Sequence, residues 1–546
     1  MTIAGHPSYE DAYRRFDLHE AFSILSGGMD GPFNAAVECC DRHCGSGRPA
    51  LIWQNADGRR GKLSFEELRG QSSRFANLLA TEGLRPGDRV AGLLPRTPEL
   101  LITLIGTWRA GAVYQPLFTA FGPKAIEHRL GVSGAKLVIT DGANRAKLDS
   151  IDMAARIVTV GSPAAGDLDF TAELGRQSAE FPSVPLGADY PFLIMFTSGT
   201  TGPSKALLVP LKALVPFALY VRDAVGVRPE DRFWNMADPG WAYGLYYAVA
   251  GPLALGQTVH FHDGLFTVDS TVRFIRDHGI TNLAGAPTAY RLMIGAGPEA
   301  VGAIRGRLRA VSSAGEPLNP EVIRWFAEHL GAPIHDHYGQ TEIGMVVCNH
   351  HALEHPVHIG AAGVPVPGHR VVVLGEDDSE LPPGEPGILA VDRSRSPLFW
   401  FAGYEGGSSP VPGERYYRSG DTVEWNADGT ISFVGRSDDV ITSAGYRIGP
   451  FEVESALIEH PAVLEAAVIG NPDPQRTEIV KAFVVLRPGH EAAAALAREL
   501  QQHVRQRLSA HAYPREIAFV EALPKTPSGK IQRFVLRNQE RLEAKD

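Results

Sequence analysis

The first two-thirds of the chain alternates short apolar runs with longer amphipathic stretches. A strand buried in a parallel sheet is apolar throughout, whereas a helix that covers such a sheet has apolar residues three and four positions apart. Strands alternating with helices in this way indicate layered α/β structure. The pattern predicts strands at 90–94, 112–115, 136–140, 192–195, 206–209 and 280–284, and helices at 99–109, 123–130, 272–278 and 287–294.

The pattern of apolar and polar residues changes twice after this region. Between about 360 and 435, short apolar runs are separated by glycine- and proline-rich turns, which predicts a small β-rich, barrel-like subdomain. After Asp438 the mixed pattern returns, with a helix from Pro450, strands near 463–469 and 481–486, and a helix at 491–508. We therefore expect an α/β fold with a large N-terminal domain, residues 1–437, followed by a small α+β C-terminal domain, residues 438–546.

Composition and charge exclude several classes of protein. The 546 residues are 44% hydrophobic and 21% charged, which is typical of a globular protein and not of a disordered chain. A net charge of −10 argues against a nucleic-acid partner, for which a basic face is expected. Four cysteines are too few for an extracellular disulfide framework, so we expect a cytoplasmic protein. The oligomeric state stays open, with a homodimer as one possibility.

No membrane insertion is expected. The most apolar span, 206–221, contains Lys212 and is broken by Pro210 and Pro216, whereas a bilayer-spanning helix needs about 20 mostly apolar residues. A core strand followed by a buried helix explains this span better. The first 15 residues are polar, without an apolar stretch followed by a small-residue cleavage site, so we do not expect a secretory signal.

A loop rich in glycine and hydroxyl groups connects the predicted strands at 192–195 and 206–209. It reads Phe196-Thr197-Ser198-Gly199-Thr200-Thr201-Gly202-Pro203-Ser204-Lys205. Glycine lets backbone N–H groups approach an anion, Ser and Thr hydroxyls add donors, and Lys205 adds a positive charge. The spacing differs from that of a P-loop, which disfavours a Walker-type nucleotidase. The alternative is an ordinary surface turn.

Further motifs follow this loop in a fixed order. They are Gly315-Glu316-Pro317-Leu318-Asn319-Pro320, Tyr338-Gly339-Gln340-Thr341-Glu342, Tyr417-Arg418-Ser419-Gly420-Asp421, Gly435-Arg436-Ser437-Asp438-Asp439, Gly445-Tyr446-Arg447-Ile448-Gly449-Pro450 and Pro524-Lys525-Thr526-Pro527-Ser528-Gly529-Lys530. With the loop, they make the chain resemble the adenylate-forming superfamily, which includes acyl-CoA synthetases, aryl-CoA ligases, adenylation domains of peptide synthetases and firefly-type luciferases. The resemblance implies a carboxylic acid, ATP, Mg²⁺ and coenzyme A (CoA) as substrates and cofactors.

The resemblance implies that most of these motifs bind ATP. Asp421 would bind the ribose with help from Arg436, and its two acceptor oxygens suit a ribose diol, although a turn-capping aspartate is the alternative. Adenine would lie between the Gly315 motif and the segment that begins at Asp336. The residues implied in ATP binding are Thr197, Ser198, Gly199, Thr200, Thr201, Gly202, Lys205, Gly315, Glu316, Pro317, Asp336, His337, Tyr338, Asp421 and Arg436.

Three residues are expected to act directly in the chemistry. Attack of a carboxylate on the α-phosphate brings two anions together, and the ammonium of Lys530 would relieve their repulsion. Glu342, beside Thr341, is the expected Mg²⁺ ligand, because Mg²⁺ is commonly held by one or two carboxylates together with phosphate oxygens and water. The alternatives are an exposed tail lysine and a solvated loop glutamate.

The resemblance also implies a mobile C-terminal domain. Asp438 would begin the hinge, and a second domain orientation would bring Gly445 to the pantetheine tunnel and Arg447 near the phosphates. One cavity can serve adenylation and thioester formation if the small domain presents two different faces.

The expected acyl pocket contains Trp241, Ala242 and Gly339. Ala242 stands where amino-acid-activating domains carry an aspartate, which disfavours an amino acid substrate. Gly339 stands where strict acetate-activating enzymes carry a bulky tryptophan. We therefore expect a short-to-medium-chain or branched acid larger than acetate, with Tyr243, Tyr246 and Tyr247 adding aromatic surface. The alternatives are an aryl-CoA ligase, an acyl-AMP ligase that loads a separate carrier protein, and a non-catalytic nucleotide sensor.

Overall fold

The structure, a computed structural model, describes residues 6–197, 204–406, 414–444, 446–509, 511–526 and 529–543. Its α-helices are α1 (Tyr9–Arg14), α2 (Leu18–Phe22), α3 (Ala35–Cys39), α4 (Phe65–Thr81), α5 (Pro98–Arg109), α6 (Pro123–Ser133), α7 (Phe170–Gly175), α8 (Leu214–Leu219), α9 (Ala242–Gly244), α10 (Gly251–Ala254), α11 (Val268–His278), α12 (Pro287–Gly295), α13 (Pro298–Val301), α14 (Pro320–Leu330), α15 (Pro450–Ile458), α16 (Ala494–Arg507) and α17 (Arg533–Glu543).

The β-strands run through both domains. They are β1 (Pro49–Gln54), β2 (Arg60–Ser64), β3 (Arg89–Leu93), β4 (Val113–Pro116), β5 (Leu137–Asp141), β6 (Arg156–Val160), β7 (Leu168–Asp169), β8 (Pro191–Phe196), β9 (Ala206–Pro210), β10 (Phe233–Asn235), β11 (Val259–His262), β12 (Asn282–Gly285), β13 (Ala310–Ala314), β14 (Ile334–Gln340), β15 (Gly344–Cys348), β16 (Ala361–Pro365), β17 (Val371–Leu374), β18 (Gly387–Asp392), β19 (Tyr416–Trp425), β20 (Ile431–Arg436), β21 (Ile441–Ser443), β22 (Tyr446–Ile448), β23 (Val463–Asp473), β24 (Thr477–Leu486) and β25 (Glu516–Phe519).

The first large sheet has the strand order β7-β6-β5-β3-β4-β8-β9. Its neighbouring strands are parallel except β8 and β9, which pair antiparallel on either side of the predicted phosphate loop. Helix α5 begins with Pro98 in its first turn, where the missing N–H has no partner to lose, and it is buried on nearly every side. The predicted strands and helices between residues 90 and 140 are confirmed, with ends shifted by up to three residues.

The second large sheet has the order β10-β12-β13-β14-β15-β16-β20-β19-β18-β17. Strands β10, β12, β13 and β14 are parallel, and the pairing becomes antiparallel from β15 onward. Strands β16 to β20 confirm the β-rich region expected between 360 and 435. Since β14 to β20 form one continuous sheet, residues that are far apart in the sequence meet at its surface.

The C-terminal domain is built on a separate sheet of order β22-β21-β24-β23, with β25 parallel to β24. Helices α15 and α16 cover it, and Val453, Leu457, Leu500 and Val504 are fully buried between them and the sheet. A large N-terminal α/β domain followed by a small α+β domain confirms the expected fold class. The chain leaves the large domain between β20 and β21, where the boundary at 437/438 stays a prediction.

The apolar span 206–221 forms strand β9 followed by the buried helix α8, as the sequence predicts. Within the described part of the chain, the helices are all too short or too polar to cross a bilayer.

Candidate active site

A cavity of about 850 Å³ lies between the two domains, a size typical of a small-molecule site. The large domain contributes residues around β13, β14, β19 and β20, and the C-terminal domain contributes the segment around Lys530. The sequence-predicted residues that line it are Thr197, Lys205, Gly315, Glu316, Pro317, Asp336, His337, Tyr338, Gly339, Thr341, Glu342, Asp421, Arg436, Asp438 and Lys530.

The remaining predicted residues lie elsewhere. Trp241, Ala242 and Arg447 are not among the residues that line this cavity. Arg447 lies on the exposed strand β22, with its Nη1 3.5 Å from Oε1 of Glu376. The predicted residues Ser198, Gly199, Thr200, Thr201, Gly202 and Gly445 lie outside the described residues.

Asp421 is held by donors from three directions. The β19–β20 register places it opposite Arg436, whose Nη1 donates to Oδ1 at 3.2 Å. The Tyr338 hydroxyl and the Gln340 Nε2 donate to Oδ2 at 2.5 and 2.9 Å. Burial, and then the charge of Asp421, raise the pKa of Tyr338, so its hydroxyl keeps its proton. These contacts fix the direction in which the carboxylate faces the cavity.

Glu342 and Lys205 converge on one aromatic ring. The Tyr404 hydroxyl donates to Oε1 of Glu342 at 2.7 Å, and Nζ of Lys205 lies 5.0 Å from the centre of the Tyr404 ring, within cation–π range. Burial and the neighbouring Glu342 raise the pKa of Tyr404. Tyr404 therefore joins the last residue of the phosphate loop to the predicted metal ligand.

The edge of the cavity expected to hold adenine is formed by β13 and β14. Their parallel register sets Asp336 beside Ser313 and His337 beside Ala314. Burial raises the pKa of Asp336 well above its usual value, and within the described ranges Oδ1 has no hydrogen-bond partner. A buried carboxyl oxygen without a partner is a place where a ligand donor gains a hydrogen bond.

His337 is neutral and fixed in one tautomer. Burial lowers its pKa to about 3. Its Nε2 lies 3.0 Å from the Asn349 carbonyl oxygen and must therefore carry the proton, so Nδ1 accepts from the Tyr220 hydroxyl at 2.7 Å. A neutral imidazole adds no charge beside Asp336.

Lys530 stands at the end of a tight turn. Gly529 N donates to the Thr526 carbonyl, Thr526 N donates to the Lys530 carbonyl, both at 2.8 Å, and Lys530 N donates to Thr526 Oγ1 at 3.1 Å. An antiparallel bridge between Lys525 and Ile531 closes the turn. Gly529 has φ +93°, a conformation that glycine adopts readily. The turn leaves Lys530 exposed at the border of the cavity.

Gly339 lies where β14 and β15 approach each other closely. An ideal Cβ on Gly339 would lie 2.2 Å from the Gly344 carbonyl oxygen and 2.7 Å from Cα of Met345. The pairing of the two strands therefore requires glycine here. That Gly339 also enlarges the acid pocket stays a prediction, and a substitution would disturb the hairpin that carries Thr341 and Glu342.

The aromatic residues expected around an acid fall into two groups. Trp241 packs against Phe118 and Phe121, with ring centres 5.5 and 5.2 Å apart. Tyr246 and Tyr247 are only 1% and 2% exposed. Tyr246 donates to the Thr341 carbonyl at 3.2 Å, and the Tyr247 oxygen accepts from Met345 N at 3.0 Å. The expectation of pocket surface is therefore wrong for Tyr246 and Tyr247, since both support the hairpin from the core. For Tyr243, which is partly exposed, it stays a prediction.

Comparison with known proteins decides the family. A model described as AMP-binding enzyme matches residues 38–404, and one described as AMP-binding enzyme C-terminal domain matches residues 452–530. This chain belongs to the AMP-binding enzyme family. The acetyl-coenzyme A synthetase of Bacillus subtilis (strain 168) is 38% identical over 544 residues, which cover 97% of this chain and 94% of that protein.

Solved structures of this AMP-binding family agree with the fold. The acyl-CoA synthetase of Brucella canis is 58% identical, with a TM-score of 0.80 and coverage of 99% of this chain and 100% of that one. The anthranilate CoA ligase AuaEII in complex with anthranoyl-AMP is 26% identical, with a TM-score of 0.87 and coverage of 94% and 98%. The protein is thus a ligase of the AMP-forming acyl-CoA synthetase group.

Two further residues belong to the site of this AMP-binding enzyme, although the sequence did not single them out. Gln340 donates to both Asp421 and the Ser419 carbonyl, and Tyr404 donates to Glu342. Gln340 lies inside a recognised motif, which is a signal that could have found it. Tyr404 lies outside every motif, and only the folded chain brings it to Glu342.

Proposed function

We propose that this enzyme joins a short-to-medium-chain or branched carboxylic acid, larger than acetate, to CoA through an acyl-AMP intermediate, with release of pyrophosphate and AMP. One observation carries the proposal: Asp421, Glu342 and Lys530, from three distant segments, line a single cavity. An acceptor for ribose, a metal-binding carboxylate and a mobile cation are the groups that this chemistry needs.

ATP would bind with its ribose hydroxyls on the Asp421 carboxylate, whose orientation Tyr338, Gln340 and Arg436 fix. Adenine would lie against Gly315, and its amino group could donate to the partnerless Oδ1 of Asp336. Asp421 and Asp336 both line the cavity.

The adenylation step is a substitution at the α-phosphorus, in which one phosphorus–oxygen bond forms and another breaks. A carboxylate oxygen of the acid attacks the α-phosphorus, the bond from that phosphorus to the bridging oxygen breaks, and pyrophosphate leaves. Lys530 would stabilise the negative charge that grows on the phosphate oxygens, and Lys205 would attract the outer phosphates. A preorganised cation acts more strongly in a site from which water is largely excluded.

Glu342 fits the requirements of a Mg²⁺ ligand. Its side chain is buried, Oε1 accepts from Tyr404, and no described donor occupies Oε2. Bound there with phosphate oxygens and water, Mg²⁺ would neutralise charge on the triphosphate.

Thioester formation needs a different arrangement. The CoA thiol loses its proton to water, its sulfur attacks the acyl carbon, the bond from that carbon to the AMP oxygen breaks, and AMP leaves with the oxygen. Arg447 lies on the exposed strand β22, away from the cavity. A rotation at Asp438 would move Lys530 out and bring Gly445 and Arg447 in.

A second candidate is an aryl-CoA ligase. The contacts of Trp241 with Phe118 and Phe121 favour it, because an aromatic wall suits a flat ring as well as an aliphatic chain. The anthranilate CoA ligase AuaEII has the same fold.

A panel of acids separates these candidates. We expect CoA-dependent pyrophosphate release to be faster with butyrate, isobutyrate, hexanoate or octanoate than with acetate. Release that is fastest with benzoate or cinnamate supports the aryl candidate, and turnover that needs a carrier protein in place of CoA indicates the acyl-AMP ligase. Fastest release with acetate contradicts the proposed acid, and no release with any acid contradicts the proposed function.

A further inference from the structure

A compact polar cluster lies on the large domain beside the Lys530 turn. Arg291 Nη2 donates to Oε2 of Glu316 at 2.8 Å and to Oγ1 of Thr288 at 2.9 Å. The Thr288 hydroxyl lies 3.2 Å from Oε1 of Glu316. The side chains of Arg291 and Glu316 are each 10% exposed, so the cluster is nearly closed off from water.

The chain builds this cluster from two separate elements. Thr288 and Arg291 are three residues apart at the start of α12, which places them on one face of the helix. Glu316 follows β13 after Gly315, which has φ +100°, a backbone conformation that favours glycine. A carboxylate beside the first turn of a helix is also favoured by the helix dipole.

The turn of the C-terminal domain seats directly on this cluster. An ideal Cβ on Gly529 would lie 3.2 Å from Thr288 Oγ1 and 3.3 Å from Glu316 Oε1. Few Cβ contacts are this short, so a side chain at position 529 would require the Thr288 hydroxyl or the Glu316 carboxylate to move, and glycine lets the turn seat this closely without such a shift. Lys530 is the next residue, and its place at the cavity therefore depends on how this glycine is seated.

The charges around Arg533 agree with this contact between the Lys530 turn and the cluster of Thr288, Arg291 and Glu316. Burial opposes the charge of Arg533 in the C-terminal domain, but the carboxylates of Glu454, Asp439 and Glu316 together raise the pKa of its guanidinium. Glu454 and Asp439 belong to the small domain and its connection, whereas Glu316 belongs to the large domain. Glu316 contributes least of the three carboxylates, but its effect on Arg533 agrees with the seating of the turn beside it.

We propose that Thr288, Arg291 and Glu316 form a socket that holds the Lys530 turn during adenylation. This inference rests on the proposed function. They are positioning residues for the first half-reaction only, because socket and turn lie on different domains and must part when the small domain rotates. A ligand or contact that favours one of two states shifts the population towards it, so loss of the socket disfavours the adenylation orientation.

Substitutions in the socket test this role. Thr288→Val keeps the shape and removes the hydroxyl, and Arg291→Gln removes the charge that pairs with Glu316. We expect each to lower kcat of acid-dependent ATP–pyrophosphate exchange about tenfold, with an unchanged KM for ATP. Thioester formation from supplied acyl-AMP is expected to continue at the original rate, and the matched variant Thr288→Ser should retain exchange.

Three results would overturn the proposal: unchanged exchange, an equal loss in both half-reactions, or a higher KM for ATP with kcat retained. The last would assign the cluster to adenine binding instead. If the unmodified enzyme activates no acid, the proposed function fails, and the seating of the turn is then judged by cross-linking.

The geometry allows that cross-link. The ideal Cβ of residue 529 lies 3.6 Å from Cβ of Thr288, within the range of about 3.5–4.5 Å found in disulfides. Thr288→Cys combined with Gly529→Cys should form a disulfide on oxidation. The oxidised enzyme is expected to form one equivalent of acyl-AMP and no thioester, and a reductant should restore thioester formation to the rate of the same double variant that was never oxidised. Failure to cross-link, or continued turnover of the oxidised enzyme, would contradict the proposal.

Discussion

Lys530→Ala is expected to lower the rate of acyl-AMP formation by about 10²- to 10³-fold, the range observed when one preorganised group that stabilises transition-state charge is removed. The physical reason is that the carboxylate and the α-phosphate repel each other, and the ammonium is the cation that the C-terminal domain brings to their meeting point. Thioester formation from supplied acyl-AMP should survive, because Lys530 would have left the cavity by that step. Single-turnover pyrophosphate release and a separate thioester assay measure the two steps.

A matched lysine controls for the loss of charge. Lys62 is exposed on β2 and does not line the cavity, so Lys62→Ala should leave both half-reactions unchanged. An equal fall in both half-reactions of Lys530→Ala would contradict the assigned role, because it would indicate damage to the domain as a whole.

Asp421→Asn is expected to raise the KM for ATP about 10- to 100-fold, the effect of losing one or two hydrogen bonds to a charged acceptor. The amide would place an N–H₂ group against donors that now point at the carboxylate, namely Tyr338, Gln340 and Arg436. Binding of ATP measured by calorimetry, together with the KM from initial rates, reports the change.

Asp428 supplies the control for this substitution. It lies in the turn between β19 and β20, where Oδ1 accepts from the backbone N and the hydroxyl of Thr430 at 3.0 and 2.6 Å. Asp428→Asn should lower thermal stability slightly and leave the KM for ATP unchanged. If Asp421→Asn behaved in the same way, Asp421 would be a structural residue of the hairpin and not the ribose acceptor.

The sequence predicts the layered fold well because its apolar runs have the lengths of strands and helices. It also places most site residues in motifs, and the structure brings those within the described ranges to one cavity, with Trp241, Ala242 and Arg447 outside it. It does not reveal partners, since a motif identifies a residue and not what that residue touches. Tyr404 reaches Glu342 across 62 positions, and Tyr338 reaches Asp421 across 83.

For two residues, the residue type alone does not distinguish a place in the acid pocket from a structural role. Tyr246 is aromatic whether it lines a pocket or fills the core, and only its burial and its hydrogen bond to the Thr341 carbonyl distinguish the two. A glycine at 339 is equally compatible with an enlarged acid pocket and with close pairing of β14 and β15. The distance of 2.2 Å from its ideal Cβ to the Gly344 carbonyl oxygen shows that strand pairing requires it. The socket around Thr288 is not visible in the sequence either, because its three residues come from two separate elements and only folding brings the Lys530 turn against them.

Tracing the oxygen that becomes bonded to the α-phosphorus of AMP is the most direct test of the proposed acyl-AMP mechanism. An acid labelled with a heavy oxygen isotope in its carboxylate is converted with ATP and CoA, and the AMP and pyrophosphate are then analysed by mass spectrometry. If the carboxylate attacks the α-phosphorus in the cavity beside Lys530, one labelled oxygen appears in AMP and none in pyrophosphate. Unlabelled AMP, or label in pyrophosphate or phosphate, would contradict the acyl-AMP mechanism.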